Sequence, residues 1–386
     1  MSTLKVDNIS GELSTDVINL PNKFKIGGGI AEQGYTASAT EPSSPNEGDF
    51  WWDTANNKLY RYINNIWKEI GLTGYSPTIS WGGSRGLFAA GNYAGNTGSR
   101  VVTIDYVSIP TQGNATDFGD LIDDREQIGT GSNVSRAFFA GGTKSNTRDE
   151  IEYVTVATTG NAQDFGDLTE QKMRMAAGVM GDGTYGLISG GWNTSAYSDV
   201  INRITIATTG NATDHGNLLV ASDKIAGLSD ATHALTAGQG GNNSRGNVID
   251  YVTIATAANA IDFGDLAANN ESNCGASDAT RGLFMAGTAG NVIEYVTIAT
   301  PGNATDFGDF ATDGNEANTG QTKKGSASSN GVRAVYGAGQ WYNSSSAYYH
   351  YDIIQFVVIQ TTGNATDFGN LTQARYDSGA ASGSAS

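Results

Sequence analysis

Apolar positions come in short, strand-length runs divided by Gly, Ser, Asn and Asp, and no stretch carries the signal of a helix. The clearest run, residues 293–310 (IEYVTIATPGNATDFGDF), returns six times, with the Asp of its Asp-Phe-Gly core at Asp117, Asp164, Asp214, Asp262, Asp306 and Asp367. The spacings are 47, 50, 48, 44 and 61 residues, which marks a repeat architecture. Each period also holds an apolar strand ending in Gly, as at 85–91 (RGLFAAG), 136–142 (RAFFAGG), 185–191 (YGLISGG), 232–238, 281–287 and 333–339. A Gly/Ala/Ser-rich stretch such as 175–180, 226–229 or 275–277 supplies one more strand. The repeats therefore predict four strands per period.

Ahead of the repeats the pattern changes. Residues 1–35 contain short apolar pieces too small to bury a core alone and predict an anchoring or oligomerisation segment. Residues 36–74 predict a three-stranded β-meander, with strands around 48–52, 58–63 and 66–70 and turn-rich Asp, Asn and Thr between them. Its aromatics Trp51, Trp52, Tyr60, Tyr62 and Trp67 either stack on sugar rings or, for at least half of them, form the module's own core or a subunit contact. Residues 75–386 hold the repeats.

Composition narrows the functional classes. Apolar residues are 38%, charged residues 16%, Gly numbers 52 and Pro 6, too apolar and periodic for disorder. The net charge of −17, most of it beyond residue 74, argues against nucleic-acid binding. No apolar run approaches a membrane span, so a soluble protein without membrane insertion or its own secretion signal is expected. Cys274 is the single cysteine, with the expected role of a small buried side chain.

Four strands per period without helices is the signature of a propeller blade. The order of a small-residue strand, an apolar strand ending in paired Gly, a Tyr-bearing strand and an aromatic-bearing outer strand resembles the kelch family. The Gly pair is intact at Gly141-Gly142 and Gly190-Gly191, and the family's Trp is replaced by Phe118, Phe165, His215, Phe263, Phe307 and Phe368. The resemblance implies a six-bladed β-propeller, an all-β fold. Residues 371–386 supply a last strand that would close the ring against 85–91, a place for which 79–81 competes. The opening Ser-Thr-Leu-Lys-Val-Asp resembles bacteriophage structural and fibre proteins, and the Gly-Asp-Phe-Trp-Trp-Asp … Leu-Tyr … Trp order at 48–67 resembles a small module of phage tail fibres and tail spikes.

Candidate chemistry is sparse. Asp-Phe-Gly lacks every other kinase element and occurs six times, so each Asp is expected to accept backbone N–H bonds in a turn while each Phe packs between blades. Outer-strand aspartates lie too far apart to share a cation. The Asn-Ala-Thr sequons at Asn114, Asn211, Asn303 and Asn364 recur because the turn recurs. His215, His233, His350 and Cys274 lack the pairing of a copper oxidase of kelch-like fold, and no sialidase box is present. Arg85, Arg136, Arg281 and Arg333 share one blade position; they either converge near one mouth of the ring or each pair with a carboxylate or strand-end carbonyl. Trp192, Trp341, Tyr342, Tyr348 and Tyr349, in loops after the second-strand glycines, form the preferred contact site. No catalytic residue, metal or cofactor is expected.

The phage resemblance implies a virion structural appendage, a tail or capsid fibre component exposed on the particle. It would trimerise and contact other virion proteins through its N-terminal segment and meet a host-surface glycan or virion protein with its head. A glycan-degrading propeller enzyme, which needs two facing carboxylates, and a free lectin-like module are the alternatives.

Overall fold

The computed structural model describes residues 35–38, 40–53, 58–63, 66–69, 80–93, 99–176, 178–239, 246–310, 322–342 and 348–385. The anchoring segment expected at 1–35 thus lies outside the described residues except for Tyr35. The chain divides into two units, Met1–Tyr75 and Ser76–Ser386. Every regular element among the described residues is a β-strand.

In the smaller unit Phe50–Asp53, Lys58–Ile63 and Ile66–Glu69 form the expected antiparallel meander. Tyr35–Ser38 adds a fourth strand, parallel to Phe50–Asp53. Trp51 stacks on Tyr60 at 4.9 Å and meets Trp67 edge-on at 5.7 Å, and Tyr62 meets Trp67 at 5.2 Å. Trp51 is 7% exposed and donates its indole N–H to the Ser38 carbonyl at 3.1 Å. These four aromatics are the module's own core, and Trp52 pairs through its backbone with Leu59.

The larger unit is a propeller-like arrangement of antiparallel sheets. Five are four-stranded among the described residues. In chain order their second strands are Arg85–Ala89, Arg136–Ala140, His233–Gln239, Arg281–Met285 and Arg333–Gly337, with Tyr185–Ser189 in a three-stranded sheet between. The burial pattern explains the sequence pattern. Second strands such as Arg136–Ala140 are buried at every position after the first and read as continuous apolar runs. Outer strands such as Thr116–Asp120 bury only the Phe. Inner strands such as Gly129–Ser132 and Cys274–Ser277 are buried throughout, and their small residues let neighbouring backbones approach.

One detail departs from the sequence reading, and another decides between the two candidates it left for one place. The described residues of 175–180 form no regular inner strand: Ala176 and Met180 bond to Ser189 and Leu187, but Gly178, at φ +131°, turns out of line. A Cβ on Gly178 would lie 1.9 Å from the Gly227 carbonyl oxygen, so only glycine permits this approach. The inner place of the first sheet goes to Gly379–Gly383, which pairs antiparallel with Arg85–Ala89. Trp81 lies outside that ladder, 3% exposed, its carbonyl accepting the Ser132 hydroxyl at 2.8 Å.

Apolar clusters fill the spaces between successive sheets. One joins Phe138, Ile151 and Phe165 to Ile188, Ile204 and Ile206; another joins Phe88, Val107 and Ile109 to Val335, Ile354 and Phe368, so the first and last sheets pack together. The outer edges are covered as well. The Asn-Ala ahead of each outer strand lies along the outer strand of the preceding sheet: Ala162 N–H donates to Asp120 O at 2.8 Å, and Gly160 N–H before it to Phe118 O at 2.8 Å. Gly113 and Ala115 do the same to Phe368 and Asn370. Such edge pairing removes the free N–H and C=O groups that template aggregation.

This edge explains the Asn-Ala-Thr-Asp-Phe-Gly unit differently from the sequence reading. The side-chain oxygens of Asn114, Asn161, Asn211, Asn259, Asn303 and Asn364 each accept a backbone N–H of the preceding outer strand at 3.1 Å. The aspartates are exposed strand residues, and among the described residues only Asp214 accepts a backbone N–H, from Gly216 at 3.1 Å. Asn had the role expected of Asp. The glycine is fixed by the same approach: Gly119 sits at φ +145°, and a Cβ there would lie 2.5 Å from the Gly160 carbonyl oxygen.

Candidate binding face at the start of the inner strands

Each linker from an outer strand to the next inner strand passes through one residue in the left-handed region. These are Gln127, Arg174, Lys224, Ser272, Lys324 and Asp377, at φ +55° to +62°. Non-glycine residues seldom adopt this conformation unless their surroundings over-determine it. Here a cycle of backbone hydrogen bonds does so. Arg174 N–H donates to Gln127 O at 2.8 Å, Lys224 to Arg174 at 2.7 Å, Ser272 to Lys224 at 2.7 Å and Lys324 to Ser272 at 3.2 Å. Asp377 donates to Lys324 at 2.7 Å and Gln127 to Asp377 at 2.8 Å, which returns the cycle to its start.

The cycle rims a cavity of about 50 Å³, also lined by Ile128, Met175, Ile225, Asn273, Gly325 and Ser378. Its charges are mixed. Lys324 Nζ lies 3.3 Å from Asp377 Oδ2, Lys224 Nζ 3.6 Å from Glu271 Oε2 and an Arg174 guanidinium nitrogen 3.4 Å from Asp223 Oδ2. Gln127 bridges two of these groups, donating to Asp377 Oδ2 at 3.2 Å and accepting from Arg174 Nε at 3.2 Å. Burial raises the pKa of Asp223, and Lys224 and Arg174 oppose it. The Asn273 side chain is 2% exposed, and neither its amide nitrogen nor its oxygen has a hydrogen-bond partner.

Deeper along the inner strands, hydroxyls tie sheet to sheet. Ser382 Oγ donates to Ser329 O at 2.6 Å, Ser329 to Ser277 O at 2.5 Å, Ser277 to Ser229 O at 2.5 Å and Ser229 to Gly181 O at 2.9 Å. These serines are structural.

Trp192 sits on the same face as the cycle. Met173, next to Arg174, donates its N–H to Trp192 O at 3.1 Å, and the Trp192 ring meets Tyr197 edge-on at 4.8 Å. Gln340–Tyr342 pairs with Thr322–Lys323, next to Lys324, and with Tyr348–His350, so Trp341 opposes Tyr349 and Tyr342 opposes Tyr348. These four aromatics therefore stand on paired antiparallel strands rather than in a loop. His350 stacks on Tyr376 at 4.5 Å, and its pKa is lowered by burial and by Lys324.

The four arginines lie at the opposite ends of their strands and do not converge. Arg85 donates to Val156 O at 2.6 Å, Arg136 to Ala207 O at 2.8 Å, Arg281 to Ile359 O at 3.0 Å and Arg333 to Pro110 O at 2.9 Å. Each also covers a ring of its own sheet: Tyr106, Tyr153, Tyr295 and Phe356, at 4.3 to 4.7 Å. In the sheet of Tyr185 the partners are exchanged, with Arg203 over Tyr185 at 4.7 Å. Pairing with strand-end carbonyls, one of the two sequence readings, is what these residues do. Cys274 is fully buried, its thiol pKa pushed up by burial.

The rim residues escaped sequence reasoning, although a signal existed. Five of them follow the Asp of Asp-Phe-Gly by ten residues, and Lys324 follows Asp306 by 18. They are of five types, with only lysine occurring twice, so the offset repeats far better than the chemistry. No protein-family model and no curated protein matches the chain.

Proposed function

We propose that Ser76–Ser386 is a closed six-bladed β-propeller serving as the non-catalytic recognition head of a bacteriophage virion appendage, a tail or capsid fibre component. The observation that carries the head reading is the cycle of six left-handed residues, which gives one face a polar mouth of both charge signs beside Trp192 and the 340–350 hairpin. Pairing of Gly379–Gly383 with Arg85–Ala89 supports closure. The virion assignment rests on the resemblance of residues 2–9 and 48–67 to phage fibre proteins. In this reading residues 1–35 bind other virion proteins and hold the chains as a trimer, so that weak contacts to a host-surface glycan add up.

The test is a glycan array probed with the full chain and re-read for cleavage, together with sedimentation at micromolar concentration. Binding without cleavage by a trimer is the expected result. Cleavage of a bound glycan would refute the non-catalytic head, and a monomer would refute trimerisation by the isolated chain. Absence of all glycan binding would leave a decoration whose partners are virion proteins.

A further inference from the structure

We propose that the junction between the third sheet (Tyr185–Ser189, Val200–Thr205, Thr213–Asn217) and the fourth (Ala226–Ser229, His233–Gln239, Gly246–Thr253, Ile261–Asn270) is an acid-sensitive seam, loosened when His215 is protonated while the other junctions hold. This goes beyond the head reading and does not depend on what the head binds.

Comparison of the repeats carries the argument. In five of them the Phe of the outer strand meets a ring of the neighbouring strand edge-on: Tyr106–Phe118, Tyr153–Phe165, Tyr251–Phe263, Tyr295–Phe307 and Phe356–Phe368, at 5.7 to 6.1 Å. In the third sheet both positions are changed, to Arg203 and His215, at the same register. An aromatic pair is thus replaced by a cation beside a group that becomes one in acid.

His215 is 2% exposed and reaches the fourth sheet, its Nε2 lying 3.1 Å from the Thr253 carbonyl oxygen. A carbonyl only accepts, so Nε2 carries the proton and Nδ1 the lone pair. Nδ1 is buried without a partner. Protonation therefore adds an N–H where no acceptor stands and a positive charge near Arg203. Burial, with Arg203, holds the imidazole below its ordinary range, against the opposing Thr253 carbonyl and Asp214. On the fourth sheet His233 pairs through its backbone with Thr253, and its Nδ1 lies 3.3 Å from Asp230 Oδ2.

The same junction has the weaker ties. Arg85, Arg136, Arg281 and Arg333 bond to carbonyls of the next sheet at 2.6 to 3.0 Å, whereas Arg203 stands 3.4 Å from Ala255 O. The apolar cluster spanning the junction joins Leu187 and Ile201 to Val252 and Ile254, and it lacks the outer-strand Phe that each of the other five clusters holds. A junction with fewer ties opens before the whole unit unfolds. Once it is open, His215 titrates near 6.5, so each unit of acid below that favours the open form by up to about tenfold, until the closed ring is itself protonated.

The test is hydrogen exchange of the full chain, read peptide by peptide from about pH 7.5 to about pH 5. Protection of residues 200–217 is divided by that of the equivalent residues 150–167 at the same pH, which cancels the intrinsic pH dependence of exchange. The quotient should be constant above about pH 7 and fall below about 6.5, by up to about tenfold per pH unit. His215→Phe should hold it constant, and so should the double variant Arg203→Tyr, His215→Phe, which restores the pair of the other sheets. Tm is measured on both, and the double variant keeps the test open if Phe packs poorly against Arg203. A quotient that stays constant in the parent, whether protection is kept everywhere or lost equally in every sheet, would overturn the proposal. A fall that persists in both folded variants would overturn it as well, because His215 would not be its cause.

Discussion

The pair Arg375–Asp105 ties the stretch after the last outer strand to the first sheet, and it offers a quantitative test of how the two ends of the unit are held together. Both residues are fully buried, 2.6 Å apart, and Arg375 also donates to the carbonyls of Thr103 at 3.0 Å and Phe88 at 3.3 Å. Arg375→Met removes the cation and leaves Asp105 buried. Breaking one side of such a pair costs roughly 3–5 kcal/mol. Asp105 keeps two donors, the N–H of Thr372 at 3.1 Å and its hydroxyl at 2.6 Å, which places the expected cost near the lower end, about 3 kcal/mol. For a unit the size of Ser76–Ser386 that corresponds to a fall in Tm of about 5 °C. Urea and thermal unfolding give the magnitude, and hydrogen exchange gives the location: amides of Gly379–Gly383 should lose protection before those of Glu150–Thr155. The double variant Asp105→Asn, Arg375→Met should recover most of the loss, because the uncompensated charge is gone. A cost below about 1 kcal/mol for Arg375→Met, or unchanged protection at Gly379–Gly383, would refute the idea that this pair latches the closure.

Three further outcomes are expected. Gly119→Ala puts a methyl 2.5 Å from the Gly160 carbonyl at φ +145° and should destabilise by several kcal/mol, roughly 3 or more, whereas Gly113→Ala meets nothing within 4 Å and should stay within about 1 kcal/mol of the parent; equal losses in urea melts would contradict the edge-packing account. Burial lowers the pKa of Lys172 to about 8 against 10.5 unfolded, so the unfolded chain binds the extra proton between those values and stability should rise with pH across that window, by roughly 3 kcal/mol; Lys172→Met should flatten the rise, and a flat parent profile would show that the ammonium is not desolvated. His215, with Nδ1 unpartnered and its pKa lowered by burial, should make stability fall as pH drops below about 6.5, and His215→Phe, the residue of the other five repeats, should reduce that slope in pH-dependent melts, leaving the share due to His350.

Much of the architecture was legible because it depends on local pattern repeated six times. Fully buried second strands such as Arg136–Ala140 must be continuously apolar, outer strands bury one Phe, and inner strands must be small, so each type wrote itself into the sequence. The aromatic module was legible for the same reason, since Trp51, Tyr60, Tyr62 and Trp67 fall on strand positions that meet. What tertiary structure decided were relations between repeats. Asn114 and Asp117 are equally polar and equally recurrent, and only the approach of the neighbouring outer strand selects Asn as the residue that bonds across. The arginines share a position in sequence, but strand direction puts them at the end opposite the rim. Position 178 must be glycine because the Gly227 carbonyl oxygen lies where a side chain would be. The rim itself is set by backbone conformation, six left-handed residues bonded in a cycle, which side chains as different as Gln, Arg, Lys, Ser and Asp occupy. Sequence by itself determined most of the strands of each repeat and which faces they bury; long-range backbone contacts, whose partners lie a whole repeat apart, decided which polar residues are structural and which meet at the mouth.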